Sequence, residues 1–310
     1  MSRYKIILNP IAGKGYALKN RQKIEELFTQ YQLDYDIVLT EFPEHATELA
    51  RHAAHDGYDF VIAAGGDGTA NEVLNGLMQA RAEGLPVPVL GIIPVGRGND
   101  FAFGVNIPAN LDEACALIAS LPRKWIDIGK ITGGNQKEGL YFGNGVGIGF
   151  DAMVGFVAAK MKLSGMLSYL VAAIKTIFIY YKSPLIQITL DHESFTIPAL
   201  LVSIMNGQRM GGGFMMVPSA RPDDGIFGLN IVREVPQMAM FGLMVKIMKG
   251  THVTDPAVVM TQSKKIRVTA LKGSMPCHAD GVTICEEGID LTIEIIPRGL
   301  EIITRLDESC

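Results

Sequence analysis

Apolar residues come in short runs through the first third of the chain, separated by glycine-rich or polar turns. Residues 4–9 predict a first strand, and Ile24, Leu27 and Phe28 then fall at helical spacing. Tyr35 to Thr40 predicts a strand, Ala46 to His55 a helix, and Phe60 to Ala63 a strand. Residues 70–80 predict a helix and Val89 to Pro94 another strand. Strands alternating with helices predict a parallel α/β sheet. Such sheets bind ligands at the carboxyl ends of their strands. The glycine-bearing loops after residues 9, 63 and 93 all fall on that edge.

After about residue 123 the pattern changes. Residues 140–142, 186–190, 199–205, 229–232, 265–270 and 291–296 read as strands, several with apolar and polar residues alternating. Two helical stretches, roughly 153–181 and 236–249, interrupt them. A β-rich, mainly antiparallel domain is expected here. The expected domains are 1–123 and 124–297, with about 298–310 returning to the first through Gly299 to Ile303. A cleft between an α/β domain and a β-rich domain is the expected place for a substrate.

Length and composition refine this picture. The 310 residues suit two domains, and 48% hydrophobic content supplies large cores. A net charge of −4 argues against nucleic acid as the main partner. Cys115, Cys277, Cys285 and Cys310 form no Cys-x-x-Cys pair, as expected of reduced thiols in a cytoplasmic protein. The opening apolar run is too short for a signal peptide. The apolar stretch from Tyr169 to Tyr181 is too short for a membrane span and carries Lys175. It reads as a core or surface-docking helix. Eleven of the 15 methionines lie between Met153 and Met248. Ordinary core filling explains each singly, and together they also suit a pliable pocket for an apolar substrate. His45, His52 and His55 read as surface residues.

The chemistry concentrates in Gly65-Gly66-Asp67-Gly68-Thr69-Ala70-Asn71-Glu72, at a strand-to-helix switch. Glycines there let the backbone approach a ligand, and a new helix offers free N–H groups to anions. Asp67 repels bare phosphate but fits a site where Mg²⁺ lies between them. The segment therefore points to a magnesium–nucleotide site and phosphoryl transfer. No Gly-x-x-x-x-Gly-Lys-Ser/Thr loop, His-Arg-Asp or Asp-Phe-Gly set is present. The run from Gly143 to Gly149 misses dinucleotide-fingerprint spacing and reads as a turn or bulge.

Four segments in order, Asn9-Pro10-Ile11-Ala12-Gly13-Lys14, Gly65 to Glu72, Pro94 to Ala102 and Asp223-Asp224-Gly225, resemble the diacylglycerol kinase catalytic-domain family, in particular its bacterial soluble and YegS-like lipid kinases. Asp280-Gly281 falls where that family has Asp-Gly-Glu. Gly-Gly-Asp-Gly-Thr alone is shared with NAD kinases and phosphofructokinases; Asn71-Glu72 and the segment from Gly98 to Ala102 point to the lipid branch.

The resemblance implies nucleotide contacts from Asn9, Pro10, Ile11, Ala12, Gly13, Thr40, Gly65, Gly66, Gly68, Thr69, Asn71, Glu72, Gly96, Arg97 and Asn99, with Asp67 helping to hold Mg²⁺–ATP. Plain turns and helix caps are the alternatives for residues 9–13, for Asn71, Glu72 and Asp100. Arg97 replaces the family's usual Thr, which removes a hydroxyl and adds a fixed positive charge. Asp127 matches an aspartate in a polar network near the family's active site; a turn residue is the alternative.

For Asp224 the resemblance implies a structural Mg²⁺ shared with backbone carbonyls near Arg221 and Ile226, while Asp-Gly is also a hairpin signal. Asp280 is implied as general base, drawing the proton from a lipid hydroxyl as it attacks the γ-phosphate. A hairpin turn is again the alternative. The usual Glu two residues on is Val282, with Glu286 or Glu287 as possible substitutes. The implied activity is ATP-dependent phosphorylation of a membrane lipid, first of all diacylglycerol to phosphatidic acid. Another acceptor (phosphatidylglycerol, a sphingoid base, a small molecule) and a weakly active nucleotide- or lipid-binding regulator stay open. Arg123, Lys124, Lys160, Lys162, Lys175, Lys246 and Lys249, with Trp125, Phe156, Tyr169 and Phe178, are solvated side chains or a peripheral docking surface for anionic phospholipid at the inner membrane face. A homodimer stays open.

Overall fold

The computed structural model describes residues 2–161 and 166–306. Lys162 and Cys310 lie outside the described residues. The chain divides into two compact units, one of Met1–Ile128 with Pro297–Cys310, the other of Gly129–Ile296.

The first unit holds β1 (Arg3–Leu8), α1 (Ala12–Lys19), α2 (Arg21–Gln30), β2 (Asp34–Leu39), α3 (His45–His55), β3 (Phe60–Gly65), α4 (Asp67–Ala82), β4 (Val89–Pro94), α5 (Asp100–Gly104) and α6 (Leu111–Ser120). Its strands run parallel in the order β2, β1, β3, β4. Ile302, near the end of the last strand of the chain, adds in parallel opposite Leu90. Every residue of β3 and β4 is buried, which explains their unbroken apolar character. Ile6, Ile7, Leu8, Ile62, Leu90 and Ile93 form the centre of this core. The predicted helices over 46–55 and 70–80 appear as α3 and α4, whose start at Asp67 falls inside the glycine segment. α1 is interrupted by left-handed backbone at Gly13, Lys14 and Gly15.

The second unit continues with β5 (Arg123–Gly133), which begins in the first, then β6 (Gln136–Phe142), β7 (Gly145–Gly149), α7 (Phe150–Ala159), α8 (Met166–Ile179), β8 (Leu185–Thr189), β9 (Ser194–Met205) and β10 (Phe227–Arg233). It closes with α9 (Ala239–Lys249), β11 (Val258–Ser263), β12 (Lys265–Lys272), β13 (Met275–Ala279), β14 (Val282–Gly288) and β15 (Asp290–Ile303). The first half of β9 pairs with β8 and the second half with β7 and β10. β9 therefore belongs to two antiparallel sheets, β9–β8–β12–β15 and β14–β13–β7–β9–β10–β11. Their inner faces share a core that includes Phe142, Phe227, Ile188, Ile204 and Leu291. A second cluster joins α7, α8 and α9 to Leu200, Met205, Met210 and Met216. The methionines named there fill a core, as their ordinary reading expects.

Two expectations are corrected. The run from Gly143 to Gly149 supplies a fully buried strand, β7, rather than a turn. Only Val146 and Ile148 carry side chains into the core; the alternating glycines hide the period-2 signal. The single helical stretch over 153–181 is two helices, α7 and α8; residues 162–165 lie outside the described residues.

Candidate active site

Three loops at the carboxyl edge of the first unit interlock. The Asn9 side chain donates to the Thr69 hydroxyl at 3.0 Å and accepts from the Ile11 N–H at 3.1 Å. Gly13 has φ +59°, and a Cβ there would lie 2.4 Å from the Val95 carbonyl oxygen, so only glycine lets this loop settle on the next. A Cβ on Gly96 would lie 2.2 Å from the Gly66 Cα. Gly13, Gly66, Gly96 and Asn9 thus hold the loops after β1, β3 and β4 against one another. Asn99 closes the third loop on itself: its Oδ1 accepts from the Gly96 N–H at 3.1 Å and its Nδ2 donates to the Pro94 carbonyl at 3.3 Å.

Asp67 links two of these loops. Its Oδ1 accepts from the Phe101 N–H at 3.0 Å, at the start of α5. Burial pushes the carboxyl up from the ordinary aspartate range, while the N–H groups of Phe101, Asn99 and Asp100 pull it down. Its other oxygen and that of Asp100 lie 2.9 and 3.4 Å from the place of a Cβ on Gly98. Two carboxylates therefore converge on one glycine. Asp100, 7% exposed, reads from sequence as a helix cap, and nothing local marks it as the partner of Asp67. Gly68 is exposed, and a Cβ there would meet nothing within 4 Å. Arg97 is exposed on the third loop, and Pro10, Ile11 and Ala12 reach the surface on the first.

Other predicted residues lie at its margins or elsewhere in this unit. Thr40 follows β2 and donates its N–H to the Leu8 carbonyl at 3.0 Å. Asn71 is buried and accepts from the Asn75 side chain on α4. The Glu72 carboxylate accepts from the Ala46 N–H at 3.2 Å, capping α3, and burial raises it. Asp127 is 1% exposed and accepts from the Arg298 N–H at 2.8 Å, at a residue with φ +50°.

In the second unit, Asp280 and Gly281 form a two-residue hairpin turn between β13 and β14, with φ of 46° and 84°. The carboxylate is also fixed by three consecutive amides. It accepts from Gly143 at 2.8 Å, from Asn144 at 3.2 Å and from Gly145 at 2.8 Å. Such a nest holds an anion in place. The Asn206 side chain braces the nest by donating to the Gly143 carbonyl at 2.9 Å. Asn144 and Asn206 are functional candidates that sequence reasoning missed, because the amides that grip Asp280 lie far from it in the chain. Glu286 and Glu287 do not replace the missing Glu. They are exposed on β14, four and five residues beyond Val282, or about 13 Å or more along an extended strand. Asp224 is exposed, and its Oδ1 accepts from the Ile226 N–H at 3.2 Å across its own turn.

Residues 3–131 match the diacylglycerol kinase catalytic domain, and residues 144–304 the YegS C-terminal NAD kinase beta sandwich-like domain. A diacylglycerol kinase of Bacillus subtilis (strain 168) is 30% identical over 285 residues, 91% of this chain and 90% of its own. One of Staphylococcus aureus (strain JH9) is 32% identical over 283 residues, 90% and 85% of the two chains. The chain belongs to the diacylglycerol kinase/YegS-like lipid kinase family. A solved protein of Bacillus anthracis str. Sterne, bearing a provisional diacylglycerol kinase name, superposes with TM-score 0.78 at 26% identity, covering 98% of this chain and 97% of its own. Yeast NADH kinase complexed with NADH shares the fold alone, with TM-score 0.53 at 11% identity over 99% and 84% of the two chains.

Membership makes the chain a phosphotransferase of the lipid-kinase class on a nucleotide-binding fold. Oxygen donors of the Asp67–Asp100 kind suit a hard divalent cation, so this pair fits Mg²⁺. Asp224 and its turn carbonyls are the same kind of donor. Among the described residues no three His, Cys, Asp or Glu side chains gather as a metal site, and no helix is long and apolar enough to cross a membrane.

Proposed function

We propose that this chain is an ATP- and Mg²⁺-dependent diacylglycerol kinase. The carrying observation is the three-loop edge around Asp67, where two carboxylates converge beside an exposed helix start in a lipid-kinase family member. Bound Mg²⁺ would offset charge on the β- and γ-phosphates. Asp67 and Asp100 would hold it, and the N–H groups from Gly66 to Thr69 would face the phosphates. Asn9, Thr40, Gly96, Arg97 and Asn99 would complete the nucleotide contacts. Asp127 would orient the turn at Arg298. Asp224, with carbonyls near Arg221 and Ile226, would take a structural Mg²⁺. Residues 1–123 with about 298–310 would act as the nucleotide domain and 124–297 as the acceptor domain.

The acceptor's hydroxyl oxygen forms a bond to the γ-phosphorus as the bond from that phosphorus to the β–γ bridging oxygen breaks. ADP leaves, and the hydroxyl proton passes to Asp280. Its nest holds the carboxylate in a fixed orientation, which is what a positioned base requires. Access to a lipid needs a membrane-facing surface. α8 supports one, with Phe178 64% and Ile179 68% exposed beside exposed Lys175, and Lys182 just beyond. Lys246 fits this role less well, being paired with Asp255 at 2.7 Å. Peripheral attachment at the cytoplasmic face of the inner membrane follows.

Transfer of labelled phosphate from ATP to a panel of diacylglycerol, phosphatidylglycerol, sphingosine and soluble polyols tests the proposal. Diacylglycerol should be the preferred acceptor. Labelling of a soluble acceptor alone would overturn the lipid assignment, and an unchanged kcat in Asp280→Asn would remove the base. No turnover on any lipid would favour a regulator.

A further inference from the structure

β7 pairs with β9 on one side and β13 on the other, and the register sets Ser203, Gly147 and His278 opposite one another in one row. Directly paired residues present their side chains on the same face of a sheet. Asp151, in the first turn of α7, drops onto this row, and its Oδ2 accepts from the Ser203 hydroxyl at 3.3 Å. Gly147 makes the approach possible. A Cβ there would lie 2.5 Å from Asp151 Oδ2 and 2.5 Å from His278 Nε2. Among the described residues no hydrogen bond joins Asp151 to His278, yet one oxygen atom could bond both. The buried His278 Nδ1 has no partner.

Three further observations mark this group as a binding site rather than a packed polar remnant. Asp151 and His278 both keep part of their surface open. Burial nevertheless raises the Asp151 carboxyl and lowers the His278 imidazole, disfavouring charge on each. The next row along the same face holds Met205 and Gly145, whose N–H grips Asp280. The thioethers of Met205 and Met210 cover Gly145 there. A buried polar pair, an apolar thioether wall and the Asp280 carboxylate therefore succeed one another along about 7 Å of strand.

We propose that Asp151 and His278 bind a neutral oxygen of a glycerol-type headgroup: an ester carbonyl accepts from the His278 Nε2–H, and a hydroxyl can in addition donate to Asp151 Oδ2. Ser203 holds Asp151, and the acceptor's reactive hydroxyl is set beside Asp280 one row away. The inference rests on the lipid-kinase reading and names residues that select its acceptor. Burial works against charge on both groups, which disfavours the ammonium of a sphingoid base relative to the uncharged oxygens of a glycerol lipid.

Steady-state kinetics of wild type, Asp151→Asn and His278→Gln on dioctanoylglycerol test this, with KM for ATP measured in parallel. The KM for lipid should rise about tenfold, as for one lost hydrogen bond in a buried site, while KM for ATP stays put. Unchanged lipid KM in both variants, or equal changes for lipid and ATP, would overturn the proposal. Should the variants fail to fold, histidine side-chain NMR of the wild type without ATP decides. Dioctanoylglycerol should move the His278 ring resonances and sphingosine should not; no response to dioctanoylglycerol would sink the site. If dioctanoylglycerol moves His278 but no lipid is ever phosphorylated, the kinase reading fails and the binding site stands. If lipid is phosphorylated and His278 is indifferent to it, the reverse holds.

Discussion

Gly68→Ala separates what the fold needs from what the nucleotide needs. Gly68 lies in the first turn of α4, and a Cβ there meets nothing within 4 Å. Its backbone is not in the left-handed region, so the fold does not require glycine. Alanine in a helix is favoured over glycine by up to about 1 kcal/mol, and an open site adds no opposing clash. For a domain of this size that corresponds to a rise in Tm of roughly 2–4 °C. The proposed phosphate contact predicts the opposite for binding. A methyl group on the surface that the phosphates must approach should weaken ATP by at least about tenfold, or ~1.4 kcal/mol. Gly96→Ala is the contrasting control, because its Cβ would sit 2.2 Å from Gly66 Cα and force two loops apart. Overpacking of that kind costs about 1–3 kcal/mol, so stability and ATP affinity should both fall. Calorimetric unfolding and isothermal titration with Mg²⁺–ATP measure both quantities. A Gly68→Ala protein that is more stable and binds ATP as tightly as wild type would refute the phosphate assignment.

Three other outcomes follow from particular contacts. Asp127→Ala should lower stability by about 0.5–1.5 kcal/mol in chemical denaturation, because the buried Asp127 carboxylate no longer accepts from the Arg298 N–H. His252 is fully buried, donates from Nε2 to the Met216 carbonyl at 3.0 Å, and is held below the ordinary histidine value by burial. Unfolding lets it take up a proton below about pH 6.5, so stability present above that pH is lost as the pH falls toward its lower native value. Denaturation midpoints compared between pH 7.5 and 5.5 should show a shallower loss in His252→Gln than in wild type. Phe178→Asp should reduce sedimentation with anionic vesicles while leaving Mg²⁺–ATP affinity unchanged, and undiminished binding would move the docking surface off α8.

Local chemistry explains what could be read in advance. β3 and β4 announce themselves because every residue is buried and therefore apolar, and the loops after them carry glycines that only a close approach requires. β7 and β13 were hidden. One has glycine at three of its five positions, and the other, Met275 to Ala279, contains a proline and a histidine that weaken any strand signal. Asp280 was legible through its Asp-Gly pair, but the amides that hold it come from residues 143–145, and no spacing rule connects the two. The same is true of Ser203 and His278, which only strand register brings together, and of Asp151, which reaches them from the first turn of α7.

The placement of Ile302 beside Leu90 has a consequence for synthesis. A chain made from its amino end presents all of β1 to β4 before the second unit exists, yet this sheet must wait for β15 to cover its β4 edge. In the interval the fully apolar β4 has one side unpaired, a template for another nascent chain. The second unit, continuous from Gly129 to Ile296, is complete sooner. The first unit is therefore the last to be finished, and production at high rates should leave that edge exposed for longest.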